Sequence, residues 1–304
     1  MKIRETGYRV LGGLSRTYAR FWRGGDRLRI LAYHEVPDRD AFAEHMAWVR
    51  SVMTPMPLGS ALDHLRHGQL PAGSVVVTFD DGHPTLVENA LPILNRLGIP
   101  ATAFVCPGLV DTPEPYWWQV VDHAGTLGLS EVGDRSWTVA QLKTIADSMR
   151  RDVVAEIRAN VEDHLGAFSG KWQLTSLELE LWAASGHSIG NHTWDHPILD
   201  RCDHESQLQQ VVKAHHWLVE RFGESTFFAY PNGNVSTSAK EQLASLGYNC
   251  ALLFDHRIAR PGDQLALSRI RVNATDPLPE FQAKASGLHP VLSDLRGSFA
   301  AGAA

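Results

Sequence analysis

The segment "VVVTFDDGHPT" (residues 75–85) holds a strand, a pair of aspartates and the start of a helix. The run "SVVVTF" (74–79) shows no polar alternation, which is typical of a strand buried on both faces of a parallel sheet. Asp80 and Asp81 follow it directly, and Pro84 suits the first turn of a helix. Since active groups of parallel α/β folds gather at the carboxyl ends of strands, both aspartates are site candidates.

Seven segments in all have the composition of strands, and helical patterns separate them. The alternation predicts a single α/β domain over residues 28–275 with a parallel sheet or barrel, and seven is a barrel-like count. Residues 107–185 separate the third and fourth strands and predict an insertion; residues 276–304 are expected to form a tail. The predicted strands are 28–33, 74–79, 101–105, 187–192, 226–230, 249–254 and 267–272.

The composition fits one large α/β domain, with 304 residues of which 44% are hydrophobic. The three cysteines form no C-x-x-C pair, so neither a disulfide framework nor a cysteine zinc site is expected. The sequence contains no apolar run of the length of a membrane span and no export signal, which predicts a cytoplasmic protein.

The N-terminal extension, residues 1–27, differs in charge from the rest of the chain. Residues 1–29 hold eight basic and two acidic side chains, whereas the remainder has an excess of acidic ones. Two interpretations stay open: the extension lies on an anionic membrane surface, at the inner face, or it is a solvated helix packed on the domain. The acidic remainder argues against a nucleic-acid partner.

The aspartate pair alone admits a plain structural interpretation, in which one residue caps the next helix and the other is solvated. The residues at the end of another predicted strand favour a functional site instead. In "HSIGNHTWDHP" (187–197), His192 and His196 stand four residues apart, so both imidazoles can reach one metal if the turn is helical. Two histidines and a carboxylate are typical of catalytic zinc, although Co²⁺, Mn²⁺ and Ni²⁺ accept the same ligands.

The segments "TFDDG" (78–82) and "GHSIGNHTWDHP" (186–197) resemble the first two motifs of the polysaccharide deacetylase family. These proteins are metal-dependent carbohydrate esterases that include chitin and peptidoglycan deacetylases. The resemblance covers roughly residues 28–275, and "FFAYPNG" (227–233) is similar to the third motif of one subgroup, which reads Phe-Ala-Tyr-Pro. It implies a distorted (β/α) barrel of seven strands. It also implies a hydrolase that removes an N-acetyl group from an amino sugar in a polysaccharide, an oligosaccharide or a lipid-linked precursor.

The resemblance also implies roles for the four central residues. Asp80 would be the general base, while Asp81, His192 and His196 would bind the metal. The chemistry is consistent with these roles, because a bound dication lowers the pKa of water toward ~7 and polarises a carbonyl oxygen. The same charge keeps Asp81 ionised beside a second carboxylate.

The third motif departs from the family pattern at two positions. Ala229 stands where an arginine usually orients the base, and Asn232 stands where an aromatic residue is usual. A backbone amide near Asn232 still suits an oxyanion, since backbone donors need no particular side chain. Arg269 or Arg271 of the last predicted strand is the candidate to replace the arginine, and a purely structural ion pair is the alternative.

The general acid is not plainly present either. His256 in "LFDHRI" is the candidate, because the leaving amine needs a proton. Tryptophans of the insertion either stack on a sugar or belong to a core. The candidates for substrate contact are His34, Tyr230, Pro231, Trp117 and Trp118.

The two departures leave a rival function open. A barrel that kept the metal site but lost the arginine and the acid would bind carbohydrate without turning it over. The presence of Asp80 argues against this alternative, because a binding protein has little need of a base.

Overall fold

The computed structural model describes residue 8 and residues 11–15, 17–18 and 25–290. In these residues one sheet contains β1 (Arg29–Tyr33), β2 (Thr54–Pro55), β3 (Ser74–Phe79), β4 (Ala101–Val105), β7 (Ser188–Asn191), β8 (Phe227–Ala229), β9 (Cys250–Leu252) and β10 (Ile270–Arg271). The strands are parallel, in the order β10-β1-β3-β4-β7-β8-β9, with β2 beside β3. A separate antiparallel hairpin joins β5 (Glu131–Val132) and β6 (Arg135–Ser136).

Backbone hydrogen bonds connect the two ends of the large sheet. Leu253 N donates to Leu267 O at 2.8 Å, and Leu267 N donates to Ala251 O at 2.9 Å, so the segment before β10 lies beside β9. Strand β10 then pairs with β1 through Ile270 and Leu31. The predicted distorted (β/α) barrel is confirmed, and each of the seven predicted strand segments contains a strand.

Helices follow the strands and cover the sheet. Along β3, Val75 and Val77 belong to a cluster shared with Phe42 of the first helix, whereas Val76 packs in a second cluster with Leu62 of the second helix. Both faces of the strand are therefore buried, which is why its sequence shows no polar alternation. The helices are α1 (Arg39–Val52), α2 (Leu58–Arg66), α3 (Leu91–Leu97), α4 (Trp117–Leu127), α5 (Val139–Leu142), α6 (Asp147–Leu165), α7 (Ser176–Ala184), α8 (His204–Phe222), α9 (Thr237–Ser245) and α10 (Leu278–Ala285).

The insertion is shorter than the predicted residues 107–185. Leu179 and Trp182 of α7 are fully buried in the main core, and the Trp182 ring meets Phe79 edge-on at 5.9 Å, so α7 is an ordinary crossover helix. Residues 107–175, called the insertion below, hold α4 to α6 and the hairpin. They form a small core of their own, which includes Val120 and Ile157.

The predicted C-terminal tail, residues 276–304, begins too early. Phe281 of α10 is fully buried, and its ring stacks on His45 of α1 at 4.0 Å. Residues 276–290 therefore belong to the domain, because α10 completes the core beside β1. The rest of the predicted tail lies outside the described residues.

The described part of the N-terminal extension contacts the domain. Tyr8 stacks on His289 at 5.5 Å, and the partly buried Tyr18 packs against the main core. Arg29, counted among the basic residues of this region, is fully buried, and its Nε donates to Ser286 O at 2.7 Å. Most of the other basic residues lie outside the described part. In that part, no helix combines the length and apolarity needed to cross a bilayer.

Candidate active site

Asp80 and Asp81 diverge at the end of β3 because the backbone turns sharply between them. Asp80 N still donates to Tyr33 O at 2.9 Å, which extends the ladder to β1 by one residue. Asp81 then has φ 70°, in the left-handed region that costs a non-glycine residue energy. The Asp80 carboxylate therefore stays within the barrel, where the residue is 2% exposed. The Asp81 carboxylate points to a different set of partners.

Asp80 forms a two-fold ion pair with Arg269. Arg269 Nη1 and Nη2 each lie 2.7 Å from one carboxylate oxygen, and the arginine is fully buried. Arg269 Nε donates to Leu253 O at 2.6 Å, which fixes the guanidinium plane. Burial acts to raise the pKa of Asp80, but the Arg269 charge and hydrogen bonds outweigh it and hold that pKa below its ordinary value. Asp80 is therefore an oriented carboxylate at neutral pH.

Of the two arginines proposed to replace the missing one at Ala229, only Arg269 reaches Asp80. Arg271 is exposed, and its side chain donates to Phe254 O instead. The structure thus brings an arginine to Asp80 from the position just before β10.

Asp81, His192 and His196 place three metal-binding atoms together. Asp81 Oδ1 lies 3.4 Å from His192 Nε2 and 3.4 Å from His196 Nε2, and all three atoms lie within 4.8 Å of one another. Donor atoms around a tetrahedral zinc ion are separated by roughly 3.3 Å, a value that follows from zinc–ligand distances near 2.0 Å. Among the described residues, this is the group of histidine and acidic side chains that fits a metal ion.

The hydrogen bonds of the three residues agree with a metal site. His192 Nδ1 lies 2.7 Å from Ala229 O; a carbonyl only accepts, so Nδ1 carries the hydrogen and Nε2 keeps its lone pair for a metal. Asp81 Oδ1 is buried with no hydrogen-bond partner in the described part of the chain. Such an orphaned buried oxygen is costly unless a cation completes its contacts.

The surroundings of the two histidines shift their pKa values in opposite directions. Burial lowers the pKa of His196 to about 3, so this imidazole is neutral. Burial also acts to lower the pKa of His192, but Asp80 and Asp81 outweigh it and raise that pKa above its ordinary value. The two carboxylates thus favour positive charge at this position, as they would for a bound cation.

The turn that carries the histidines is not helical, in contrast to the spacing argument. Thr193 and His196 have φ values of 72° and 61°, and side-chain contacts replace helical hydrogen bonds. Asn191 Oδ1 accepts from Thr193 N at 2.7 Å, and Gln210 Oε1 accepts from Trp194 N at 3.0 Å. The two rings meet because this irregular turn folds back on itself, so the prediction was right about the pair and wrong about the turn.

The insertion contacts this turn at its first residues and through α6. Gly108 N donates to Trp194 O at 2.8 Å, and a Cβ at Gly108 would lie only 2.5 Å from Trp194 Nε1, so the position requires glycine. Arg151 of α6 forms a two-fold ion pair with Asp195, the residue before His196. The insertion therefore supports the histidine turn from outside the barrel.

The donor set opens into a cavity of about 310 Å³. Of the residues predicted for substrate contact or for the oxyanion, three line it, namely His34, Trp118 and Asn232. Asn232 has φ 55° in a short 3₁₀ turn (Pro231–Gly233) that begins two residues after the end of β8. The structure thus places three residues around the same cavity: His34 after β1, Asn232 in the turn after β8, and Trp118 of the insertion.

Four predicted site residues lie elsewhere. Trp117 faces away from the donor set and packs under Arg150, 4.7 Å from the ring centre. Tyr230 is fully buried and donates to Leu265 O at 3.0 Å, and Pro231 is buried beside it without lining the cavity. His256 pairs with His289 at 2.8 Å and does not line the cavity either. The predicted acid role of His256 gains no support from this placement, because its ring is directed toward the C-terminal segment.

Tyr116 is a site residue that sequence reasoning missed. It is 3% exposed, and its hydroxyl donates to the backbone oxygen of Asp81 at 2.6 Å, which supports the left-handed turn at that ligand. Its ring stacks on Trp118 at 4.2 Å and meets His196 edge-on at 5.6 Å. Lys143 and Asp122 of the insertion also line the cavity. Only the dense aromatic run "YWW" (116–118) pointed to this region.

Fold and site together define a (β/α) barrel with a buried carboxylate–arginine pair and a two-histidine, one-carboxylate donor set at the strand ends. A family model described as polysaccharide deacetylase matches residues 67–175 and 167–251, which is more than half of the chain. The chain belongs to the polysaccharide deacetylase family.

Several relatives carry the name poly-β-1,6-N-acetyl-D-glucosamine N-deacetylase, including one from Staphylococcus aureus and one from Escherichia coli. The protein of Staphylococcus aureus (strain MSSA476) is 37% identical over 70 residues, which are 23% of this chain and 24% of the relative. The protein of Escherichia coli (strain K12) is 23% identical over 248 residues, which are 79% of this chain and 34% of the relative. The matched regions thus span between a quarter and a third of these relatives.

Two solved structures share the fold. Streptococcus pyogenes deacetylase PplD, in complex with acetate, aligns with a TM-score of 0.62 at 18% identity, over 86% of this chain and 99% of that one. IcaB from Ammonifex degensii aligns with a TM-score of 0.61 at 23% identity, over 86% and 98% of the two chains. At these identities the likeness concerns the fold.

Proposed function

We propose that the protein is a metal-dependent N-deacetylase that hydrolyses the acetamido group of an N-acetylated amino sugar. One observation carries the proposal: the buried Asp80, oriented by Arg269, adjoins a donor set built from the next residue and two histidines. An ionised carboxylate beside a metal site is what water-dependent amide hydrolysis requires of a protein. Family membership supports the same reaction.

Asp81, His192 and His196 would hold the metal, and zinc is the first candidate because Asp81 Oδ1 lies 3.4 Å from each histidine Nε2, close to the spacing of tetrahedral zinc ligands. Co²⁺, Mn²⁺ and Ni²⁺ are the other candidates, since geometry and ligand type leave them open. When bound, the ion supplies Lewis acidity to water and to the acyl carbonyl. The Nδ1–H of His192 stays on Ala229 O throughout and fixes the ring.

Asp80 accepts the proton of the attacking water in this proposal. Its pKa lies below the ordinary value, so it is ionised at neutral pH but is a weak base on its own. Proton transfer to it depends on an acidified water, and Arg269 keeps the carboxylate in place before and after the transfer. A backbone amide of the turn at Asn232 donates to the developing oxyanion, as preorganised amides do in acyl transfer.

His34 is the proposed proton donor to the leaving amine. It follows β1, lines the cavity beside Asp80 and Asp81, and its ring meets Phe254 edge-on at 5.0 Å. Lys143 is the other cationic group of the cavity, and burial lowers its pKa from the ordinary value. His34 is preferred because histidine is the side chain most often used for general acid–base catalysis, whereas His256 is directed elsewhere.

The substrate that we propose is a chain or oligosaccharide of N-acetylglucosamine, by analogy with the names of the relatives. The subgroup with a Phe-Ala-Tyr-Pro third motif is part of the same proposal, carried by residues 228–231. A lipid-linked precursor at the inner face of the membrane is the corresponding cellular proposal. It would use the basic N-terminal residues, most of which lie outside the described part.

Acetate release from β-1,6-linked N-acetylglucosamine oligomers tests this function. We expect release by the metal-loaded protein, its loss after chelation and its return with Zn²⁺ or Co²⁺. Absence of metal-dependent release from any N-acetylhexosamine oligomer would count against the function. It would favour the rival function, a carbohydrate-binding barrel without turnover. One argument for that rival was the missing arginine at Ala229, and it is weakened because Arg269 pairs with Asp80.

A further inference from the structure

A second cavity continues from the metal site along the insertion. It has a volume of about 420 Å³ and shares His34, Asp81, Trp118 and Asp122 with the cavity that contains the donor set. Ligand sites usually have volumes of about 300–1,000 Å³, so this space can take one sugar ring. Since the two cavities share walls, a chain with one sugar at the metal site would place its neighbour here.

The walls of this second cavity suit a sugar ring. Trp118 and Trp172 line it together with the amide side chains of Gln119 and Asn273. Aromatic rings offer apolar faces to a sugar, and amides offer both donors and acceptors to its hydroxyls.

The charge of the second cavity differs from that of the first. Glu35 lines only this cavity, whereas Asp81 and Asp122 line both. No lysine or arginine occurs among its described lining residues, whereas Lys143 lines the cavity that contains the donor set. The nearest partner of Glu35 is His83, whose Nε2 lies 3.8 Å from the carboxylate. The space beside the metal site is therefore bounded by carboxylates that a ligand cation would neutralise.

We propose that this cavity, called the amine subsite, binds the sugar next to the one being hydrolysed and favours a sugar that already carries a free, protonated amine. The inference rests on the proposed N-deacetylase function. Each hydrolysis would then create the preferred neighbour for the next one, so that deacetylated sugars would form in blocks along a chain.

The test compares three β-1,6-linked tetramers: the fully N-acetylated one, and two isomers with one free amine on either side of an acetylated sugar. Acetate release is measured at a pH below the pKa of the amine. We expect kcat/KM for one isomer to exceed that of the acetylated tetramer about fivefold, and the ratio to fall at high salt, since exposed charges are screened.

Variants separate charge from hydrogen bonding. In the double variant Glu35→Gln and Asp122→Asn, polar contacts remain but the charges are lost, so we expect the ratio to fall to about one. Glu44→Gln, an exposed glutamate of α1 outside both cavities, should leave both the ratio and the activity unchanged. A ratio that survives the double variant would overturn the proposed role of the two carboxylates.

The outcomes also distinguish the two proposals. Equal rates on all three tetramers would overturn the amine subsite and leave the N-deacetylase function standing. No metal-dependent release from any tetramer would overturn the function, and the subsite with it.

Discussion

The barrel and the insertion contribute differently to the same site. The barrel provides the groups proposed to do chemistry, because Asp80, Asp81, His192 and Arg269 all lie at or near strand ends and are held by buried contacts. The insertion provides walls and supports, through Tyr116, which holds the turn at Asp81, and through cavity residues such as Trp118. Changes in the barrel should therefore stop the reaction, whereas changes in the insertion should tune metal affinity and substrate choice.

The largest effect is expected from Asp80→Asn, which keeps size and removes the base. Acetate release should fall by roughly 10²–10⁴-fold in kcat/KM, the range typical of a lost general base. Asp163→Asn, an exposed aspartate of α6, serves as the control and should keep full activity. If Asp80→Asn retained activity while folded by circular dichroism, the assignment of the base would be wrong.

The next largest effect should come from Arg269→Met, which leaves Asp80 buried without its partner. The free energy of unfolding should fall by about 3–5 kcal/mol, as when one member of a buried pair is removed. Because Arg269 lowers the pKa of Asp80, the stabilisation is full at neutral pH and is lost as the pH falls through that lowered pKa. The acid limb of the rate profile should also shift to higher pH.

Denaturant unfolding across pH measures this effect. Arg271→Met is the matched control, since the exposed Arg271 contacts the backbone oxygen and ring of Phe254 and has no carboxylate partner among the described ion pairs, so its loss should matter by less than about 1 kcal/mol. Equal losses in the two arginine variants would contradict a special role for Arg269.

Tyr116→Phe tests the insertion where it contacts Asp81, a proposed metal ligand. The ring remains, but the hydrogen bond to Asp81 O is lost, so the left-handed turn should loosen and metal affinity should fall about tenfold. Competition with a chelator gives the affinity directly. Tyr230→Phe removes an equally buried hydroxyl that bonds Leu265 O, and it should leave metal affinity unchanged. Equal behaviour of both variants would show that Tyr116 has no such role.

The smallest effect is expected at the ion pair between Arg151 and Asp195. The arginine side chain is 45% exposed, so solvent screens the pair, and a double-mutant cycle with Arg151→Gln and Asp195→Asn should give a coupling below about 1 kcal/mol. A coupling far above this value would mean that the insertion holds the histidine turn more tightly than its exposure indicates.

The sequence predicted the barrel and the candidate donor set because both depend on local signals. The buried strand before Asp80 and the spacing of His192 and His196 can be read from short segments. Arg269 was proposed only as one of two arginines, since its contact with Asp80 spans 189 positions in sequence. Tyr116 could not be found, because its role depends on where the insertion folds back onto β3.

The failures have a similar cause. Tyr230 sits in a motif but points into the core, and His256 follows a strand but turns toward His289. In each case the direction of the backbone after the strand determines where the side chain points. The residue type alone does not encode that direction. The insertion boundary was misplaced because α7 carries the same helical signals as its neighbours and differs only in packing on the main core.

Metal content per chain tests the central claim most directly. We measure it in the purified protein and in the Asp80→Asn, Asp81→Ala and His196→Ala variants, all confirmed as folded. The account predicts about one divalent ion per chain in the wild type and in Asp80→Asn, and a loss of that ion in the other two. Unchanged metal content in Asp81→Ala and His196→Ala would contradict it.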